Sequence, residues 1–185
     1  PIEEIGAIAR KRHVPFHTDA VQAIGNVPIE LSTLPIELLS LSAHKFHGPK
    51  GVGVLYVKKG TRISKMIHGG GQERKMRAGT ENVAGIVGLG KAIEIACKNV
   101  ENKNKKIQEL RDILLEGIVG SISDVRINGD MCNRLPGNLN ISFERVEGES
   151  ILLMLDSKGV CASSGSACTS GSLDPSHVLL ALGLS

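Results

Sequence analysis

Leu38-Leu39-Ser40-Leu41-Ser42-Ala43-His44-Lys45-Phe46-His47-Gly48-Pro49-Lys50-Gly51-Val52-Gly53-Val54-Leu55-Tyr56-Val57-Lys58 decides the fold class. Two short apolar runs, 38–42 and 53–58, flank a polar segment and the turn Gly48-Pro49-Lys50-Gly51. That layout predicts two strands, with Ala43-His44-Lys45 at the end of the first. Upstream, Val14-Pro15-Phe16-His17-Thr18-Asp19 predicts a short buried strand that delivers Asp19 at its carboxyl end. Before it, Ile2, Ile5, Ile8 and Ala9 recur at helical spacing with Pro1 suited to a first turn, which predicts a helix over 1–12. Apolar strands alternating with helices indicate an α/β layer structure whose functional side chains emerge at strand ends.

Downstream, residues 82–117 turn helical, first with the small residues Ala84, Gly85, Gly88, Gly90 and Ala92, then with a charged stretch over 98–112. The Lys103–Lys106 cluster is interleaved with Glu101, Glu109 and asparagines, which favours a solvated helix face over a partner site. Val125-Arg126-Ile127-Asn128 and Leu139-Asn140-Ile141-Ser142-Phe143 predict strands, and Glu149 to Ser157 a helix. The change of composition near residue 98 places a domain boundary there, giving domains over 1–98 and 99–185. The low-complexity stretch is Ser163-Ser164-Gly165-Ser166-Ala167-Cys168-Thr169-Ser170-Gly171-Ser172.

The 185 residues are 41% hydrophobic and 22% charged, enough apolar material for a core and too much for intrinsic disorder. A net charge of +3 is too weak for the electrostatic footprint of a nucleic-acid binder, and Tyr56 with three phenylalanines makes no base-stacking platform. No window approaches the roughly 18 apolar residues of a membrane span, and the first residues lack the regions of a signal peptide. A soluble, cytoplasmic protein without membrane partners is therefore expected. Cys97, Cys132, Cys161 and Cys168 are sparse, so free thiols are expected rather than a disulfide framework. The chain starts at Pro1 inside a periodic pattern and stops where a helix over 177–185 is under way, which suggests a piece of a longer protein.

A lysine just past an apolar strand is held by rigid backbone and partly desolvated, which would leave the Lys45 amine able to form a Schiff base. The plainer reading is a lysine snorkelling at a strand end. Asp19 could face the same crevice and hold a pyridine nitrogen protonated, or could cap the turn before Ala20-Val21-Gln22. Other patterns carry less. Gly85-x-x-Gly88-x-Gly90 departs from the dinucleotide fingerprint and suits close helix packing. Gly48-Pro49-Lys50-Gly51 lacks the P-loop spacing, and Gly69-Gly70-Gly71 fits a flexible loop or an anion nest equally well. Cys161, Cys168 and His177 are too widely spaced for a typical structural zinc site, and His44 with His47 is a poor metal pair, so no metal is expected. His13 and His68 read as surface histidines.

Four segments in order, His17-Thr18-Asp19-Ala20-Val21-Gln22, Ser42-Ala43-His44-Lys45, Gly69-Gly70-Gly71-Gln72-Glu73 through Arg77-Ala78-Gly79-Thr80, and Ser163-Ser164-Gly165-Ser166-Ala167-Cys168-Thr169, closely resemble the NifS/IscS-type cysteine desulfurases. These are pyridoxal 5'-phosphate enzymes of the class V aminotransferase fold. The resemblance spans essentially the whole chain and implies part of a fold-type-I large domain followed by part of an α+β small domain. Lys45 matches the family's Schiff-base lysine, Asp19 the carboxylate paired with the pyridinium nitrogen, and Gln22 the partner of the cofactor's phenolic oxygen. Ser42 and His44 match phosphate ligands, and Thr80 one that reaches the phosphate from the other subunit of a homodimer. Cys168 matches the nucleophile that takes sulfur as a persulfide.

The resemblance thus implies conversion of L-cysteine to L-alanine, with sulfur passed to Cys168 and then to an iron–sulfur scaffold protein. The small-residue setting of Cys168 suits a thiolate that must travel. Cys97, among Ile93, Ile95, Ala96 and Val100, is expected to be buried, and Cys161, in Gly159-Val160-Cys161-Ala162, to be packed. Cys132 precedes a turn with no catalytic neighbour. Two rival readings remain: a hydrolase in which His177 activates Cys168, which gives Asp19, Gln22, Ser42, His44 and Lys45 no role, and a truncated domain that only docks to a partner chain.

Overall fold

The computed structural model describes residues 1–163 and 176–184. The chain forms two compact units, Pro1–Ile107 and Gln108–Ser185.

The first unit opens with α1 (Ile2–Lys11), whose Glu3 and Glu4 lie in the first turn and Arg10 and Lys11 in the last, in accord with the helix dipole. Its periodic apolar residues are not what it buries: Ile2, Ile5 and Ile8 are exposed, and Gly6 is buried against Pro35, which occupies the space a side chain would need. Strand β1 is shorter than expected, His17–Asp19, and pairs parallel with β2 (Leu38–Ser42), which pairs antiparallel with β3 (Gly53–Val57). Val14 is exposed, and Pro15 has no N–H to give a ladder, so regular pairing begins after them. The lead-in is instead held by Phe16, whose N–H donates to Glu37 Oε2 at 2.9 Å and whose carbonyl accepts from the N–H groups of Glu37 and Leu38.

Leu39 and Leu41 point to the buried side of β2, where Ala20, Ile24, Ile36, Ala43, Phe46 and Leu89 complete the core. Leu89 comes from α2 (Val83–Cys97), capped by Asn82, whose Oδ1 accepts from the Gly85 N–H at 3.0 Å. Of the helix glycines, Gly88 lies so close to Pro49 that an added Cβ would stand 2.7 Å from its ring. Helix α3 (Val100–Ser121) follows. The expected boundary near 98 falls in the break between α2 and α3, whereas the two units divide inside α3. The start of α3 is tied to the first unit: Val100 is buried, Lys103 Nζ donates to the Gly25 carbonyl, and Asn104 Nδ2 donates to the Asn26 carbonyl at 2.6 Å.

In the second unit β4 (Val125–Ile127) and β5 (Ile141–Phe143) pair antiparallel, followed by α4 (Gly148–Ser157) and α5 (His177–Ala181). No helix among the described residues is long and apolar enough to cross a membrane.

Candidate active site

The parallel register sets Asp19 opposite Ser40, so the carboxyl ends of β1 and β2 lie side by side. Side chains alternate across a strand, and paired residues share a face. His17, Asp19, Ser40 and Ser42 therefore occupy the face opposite the buried Leu39 and Leu41. Ser42 leads into a 3-10 turn, Ala43–Phe46, in which residues three apart eclipse. Ala43 and Phe46 are the eclipsed pair and both are buried, which forces His44 and Lys45 outward. The turn is fixed at both ends: the Ala43 N–H donates to the Val52 carbonyl at 3.1 Å and the Gly48 N–H to the Ala43 carbonyl at 2.8 Å. Lys45 thus has a rigid root and an exposed side chain; the partial desolvation expected of it is not found in this chain.

Ser42 Oγ and His44 Nδ1 are 2.8 Å apart, so the two residues form one polar pair beside the lysine. One Asp19 carboxylate oxygen accepts from the Val21 N–H at 2.8 Å, while the residue stays at the strand end and exposed. The local turn so formed carries Gln22, whose side chain is exposed and whose carbonyl accepts from Asn26 Nδ2 at 2.9 Å. Asp19, Ser42, His44 and Lys45 are thereby gathered on adjacent strand ends, with Gln22 one turn away. Thr80 is exposed at the far end of the Gly69–Gly79 loop, and Cys168 lies outside the described residues.

His17 belongs to the same face and escaped the sequence reading as a site residue. Its Nε2 is 2.7 Å from Ser40 Oγ, a pair two residues behind Asp19 and Ser42 on their strands. The period of two was the available signal. Lys45 borders a cavity of about 290 Å³ that His47, Asn26 and Lys103 also line, while the larger cavity, about 820 Å³ and mostly apolar, lies against Leu39, Leu41 and Tyr56.

The cysteines need correction. Cys97 and Cys161, expected to be buried and packed, are both exposed, as is Cys132. Cys97 is the last residue of α2, whose neighbouring Ile95 is itself 63% exposed, and Cys161 follows the exposed Val160. Around Cys97 the apolar neighbours divide, Ile93 and Ala96 packing against the core while Ile95 and Cys97 itself are exposed, so an apolar neighbourhood in sequence did not become burial.

The profile of the class-V aminotransferases matches residues 1–184. Among curated proteins, the chain is 58% identical to a cysteine desulfurase, IscS, of Clostridium botulinum, over all of this chain and 47% of the relative. It is 57% identical to IscS of Methanosarcina thermophila, over all of this chain and 45% of the relative. Among solved structures, a NifS-like protein matches with a TM-score of 0.87 at 38% identity, covering all of this chain and 48% of that one. DndA of Streptomyces lividans matches at 0.79 and 39%, covering all of this chain and 52% of that one. The chain spans about half the length of the curated relatives it matches.

Proposed function

This chain belongs to the class-V aminotransferase family, and from that premise we propose that the full-length protein carrying it is a pyridoxal-phosphate-dependent cysteine desulfurase. It takes sulfur from L-cysteine, releases L-alanine, and hands the sulfur to an iron–sulfur scaffold protein. It works as a cytoplasmic homodimer.

The donor set on the strand ends fits the cofactor. Ser42 and His44 offer a hydroxyl and an imidazole to a phosphate, Thr80 offers a second hydroxyl from the neighbouring subunit, Asp19 offers a carboxylate to a pyridinium nitrogen, and Gln22 an amide to a phenolic oxygen. Lys45 would hold pyridoxal phosphate through its amine at rest, and the cofactor would supply an electron sink for a carbanion at the Cα of a substrate whose amine takes the lysine's place, which leaves Lys45 free as a base.

Each residue then has its own task. Lys45 Nζ, swinging from a root fixed by Ala43 and Phe46, takes the Cα proton of cysteine and later returns a proton to the product skeleton. Asp19 would hold a pyridinium nitrogen protonated, and the bond its carboxylate accepts from the Val21 N–H fixes one of its oxygens. The Cys168 thiolate attacks the sulfur of the substrate: an S–S bond forms, the C–S bond breaks with its electron pair left on carbon, and protonation of that carbon completes alanine. Because Cys97, Cys132 and Cys161 are all exposed, accessibility does not single out Cys168. Its assignment rests on the Ser-Gly-Ser-Ala-Cys-Thr motif.

The observation that carries the reading is the register of β1 with β2, which sets Asp19 beside the strand that leads to Ser42, His44 and Lys45. The test is sulfide release from L-cysteine by the full-length protein with reductant, alongside Cys168→Ser. The variant should retain bound cofactor and form no persulfide by mass spectrometry; a sulfur adduct on Cys97, Cys132 or Cys161 would overturn the nucleophile assignment.

A further inference from the structure

The loop that leads to Thr80 is closed by side chains the proposed chemistry does not use. Glu73, Arg74 and Lys75 all have left-handed backbone, with φ of 46°, 56° and 68°. Three such non-glycine residues in a row persist only where the surroundings over-determine them. The turn itself is held by the Lys75 N–H, which donates to the Gly71 and Gln72 carbonyls, and by the Met76 N–H, which donates to the Glu73 carbonyl, while the flanking Gln72 and Arg77 converge on a single peptide bond, the one between Ala78 and Gly79. Its carbonyl accepts from Arg77 Nη1 at 2.9 Å, and its N–H donates to Gln72 Oε1 at 3.2 Å. Ala78 itself is buried, and its own N–H donates to the Ile67 carbonyl.

The peptide plane that leads into Gly79, one residue ahead of Thr80, is therefore gripped at both its polar ends. Gly79 has a φ of +115°, where a side chain is rarely tolerated. Just beyond Thr80, Asn82 caps α2. Thr80 thus lies two residues after the gripped Ala78 carbonyl and two before the Asn82 cap, so only a short stretch of backbone separates it from a fixed point on either side. The glycines upstream serve the same closure, since a Cβ on Gly70 would crowd the Gln72 carboxamide and one on Gly69 would stand 3.0 Å from Ala78 Cβ.

The geometry points to Gln72 and Arg77 as positioning residues that aim Thr80 at the cofactor phosphate of the neighbouring subunit. This inference rests on the proposed role of Thr80 as a phosphate ligand. Gln72 is the sharper of the two to test, because its acceptor can be deleted or kept at nearly constant shape.

The experiment uses the full-length dimer and compares retention of pyridoxal phosphate with binding of pyridoxal, which lacks the phosphate. Gln72→Met, which keeps the length and loses the acceptor, should weaken retention of the phosphate form about fivefold, the factor for one neutral hydrogen bond, and leave pyridoxal unchanged. Gln72→Glu, which keeps an acceptor for the Gly79 N–H, should stay within about twofold of the parent. Thr80→Ala should lower the same preference about tenfold or more, as a bond to a charged group is lost, and Gln72→Met should add nothing to it. Amide exchange at Gly79 should quicken in Gln72→Met alone. An unchanged preference in Gln72→Met beside a lowered one in Thr80→Ala overturns the positioning role by itself. Equal loss in Gln72→Met and Gln72→Glu also overturns it, since shape and not the acceptor would then matter. An unchanged preference in Thr80→Ala overturns the phosphate assignment of Thr80, and the positioning role with it.

Discussion

Behind Lys45 the chain is held by apolar burial, and around β4 and β5 it is held by hydrogen bonds. The first unit buries Ile36 completely and packs Leu39, Leu41, Phe46 and Leu89 around it. In the second unit, among the described residues, no apolar side chain is buried and Asn128 takes the central place. Asn128 Nδ2 donates to Asn140 Oδ1 at 2.7 Å and to Ser142 Oγ at 2.8 Å, and its carbonyl accepts from Arg134 Nη2 at 2.6 Å. Arg134 also donates to the Asp130 carbonyl, and Asp130 in turn accepts from the Cys132 and Asn133 N–H groups. The difference teaches where stiffness is placed. Lys45, which the proposed chemistry brings to a substrate, stands on close-packed apolar side chains, which resist displacement in every direction. A polar network is directional, and it fixes a loop path without supplying a core.

The largest break in this comparison is chemical. If the proposed function holds, Lys45→Ala in the full-length protein should leave the packed frame intact and lower sulfide release by at least about a thousandfold, since the proposal gives Lys45 both the anchoring amine and the proton-moving group. Retained turnover in a folded Lys45→Ala protein would show that the frame presents the wrong residue. Next in size is the frame itself. Ile36→Ala should cost about 2–5 kcal/mol by denaturant midpoint, because a fully buried side chain leaves a cavity in a core with little room to collapse. A loss below about 1 kcal/mol would mean that the first unit is not rigid in the sense argued.

Asn128→Ala tests the other side of the comparison. It removes two side-chain bonds but also an acceptor, Oδ1, that is buried without a partner, so the net cost should fall near 1 kcal/mol. Amide exchange should quicken in β4 and β5 while cofactor retention stays at the parent level. Exchange spread evenly through the first unit as well would erase the distinction between the two regions.

The smallest effect concerns pH. Asp130 is held below the ordinary carboxylate value by the Asn133 side chain and then by the Cys132 and Asn133 N–H groups. A carboxyl lowered on folding contributes stability that is present above its ordinary value and lost as pH falls through the lowered one. The segment 130–134 should therefore loosen on acidification below the usual carboxylate range, read as amide exchange at Cys132, and Asp130→Ala should abolish that dependence. Glu30 is lowered in the same sense by Ser32, so the first unit supplies an internal control whose response Asp130→Ala should leave untouched.

Periodicity and punctuation located the elements of the site. Leu38–Ser42 was readable as a strand because apolar residues alternate toward a core there, and the residues after it were readable as emerging at a strand end. The four matching motifs pointed to Asp19, Gln22, Ser42, His44, Lys45, Thr80 and Cys168, which no periodicity alone would have joined. What escaped were relations across space. Cys97 and Cys161 looked buried from their apolar neighbours and are exposed, because burial depends on what faces a side chain and not on what flanks it. Gly69-Gly70-Gly71 left a flexible loop and an anion nest equally open, and what the sequence did not show is that Gly69 and Gly70 lie close against Ala78 and Gln72.

Local rules therefore reach as far as the chain's own periodicity: which runs are strands or helices, and that Lys45 and Asp19 stand at strand ends. The tertiary structure decided the parallel pairing of β1 with β2 and the antiparallel return of β3. It also decided the outward turn of Lys45 through the burial of Ala43 and Phe46, and the closure of Gln72 onto the peptide between Ala78 and Gly79. Those outcomes depend on partners distant along the chain or on the three-dimensional path of a turn, and a linear pattern of side-chain types carries neither the direction of a neighbouring strand nor the aim of a hydrogen bond.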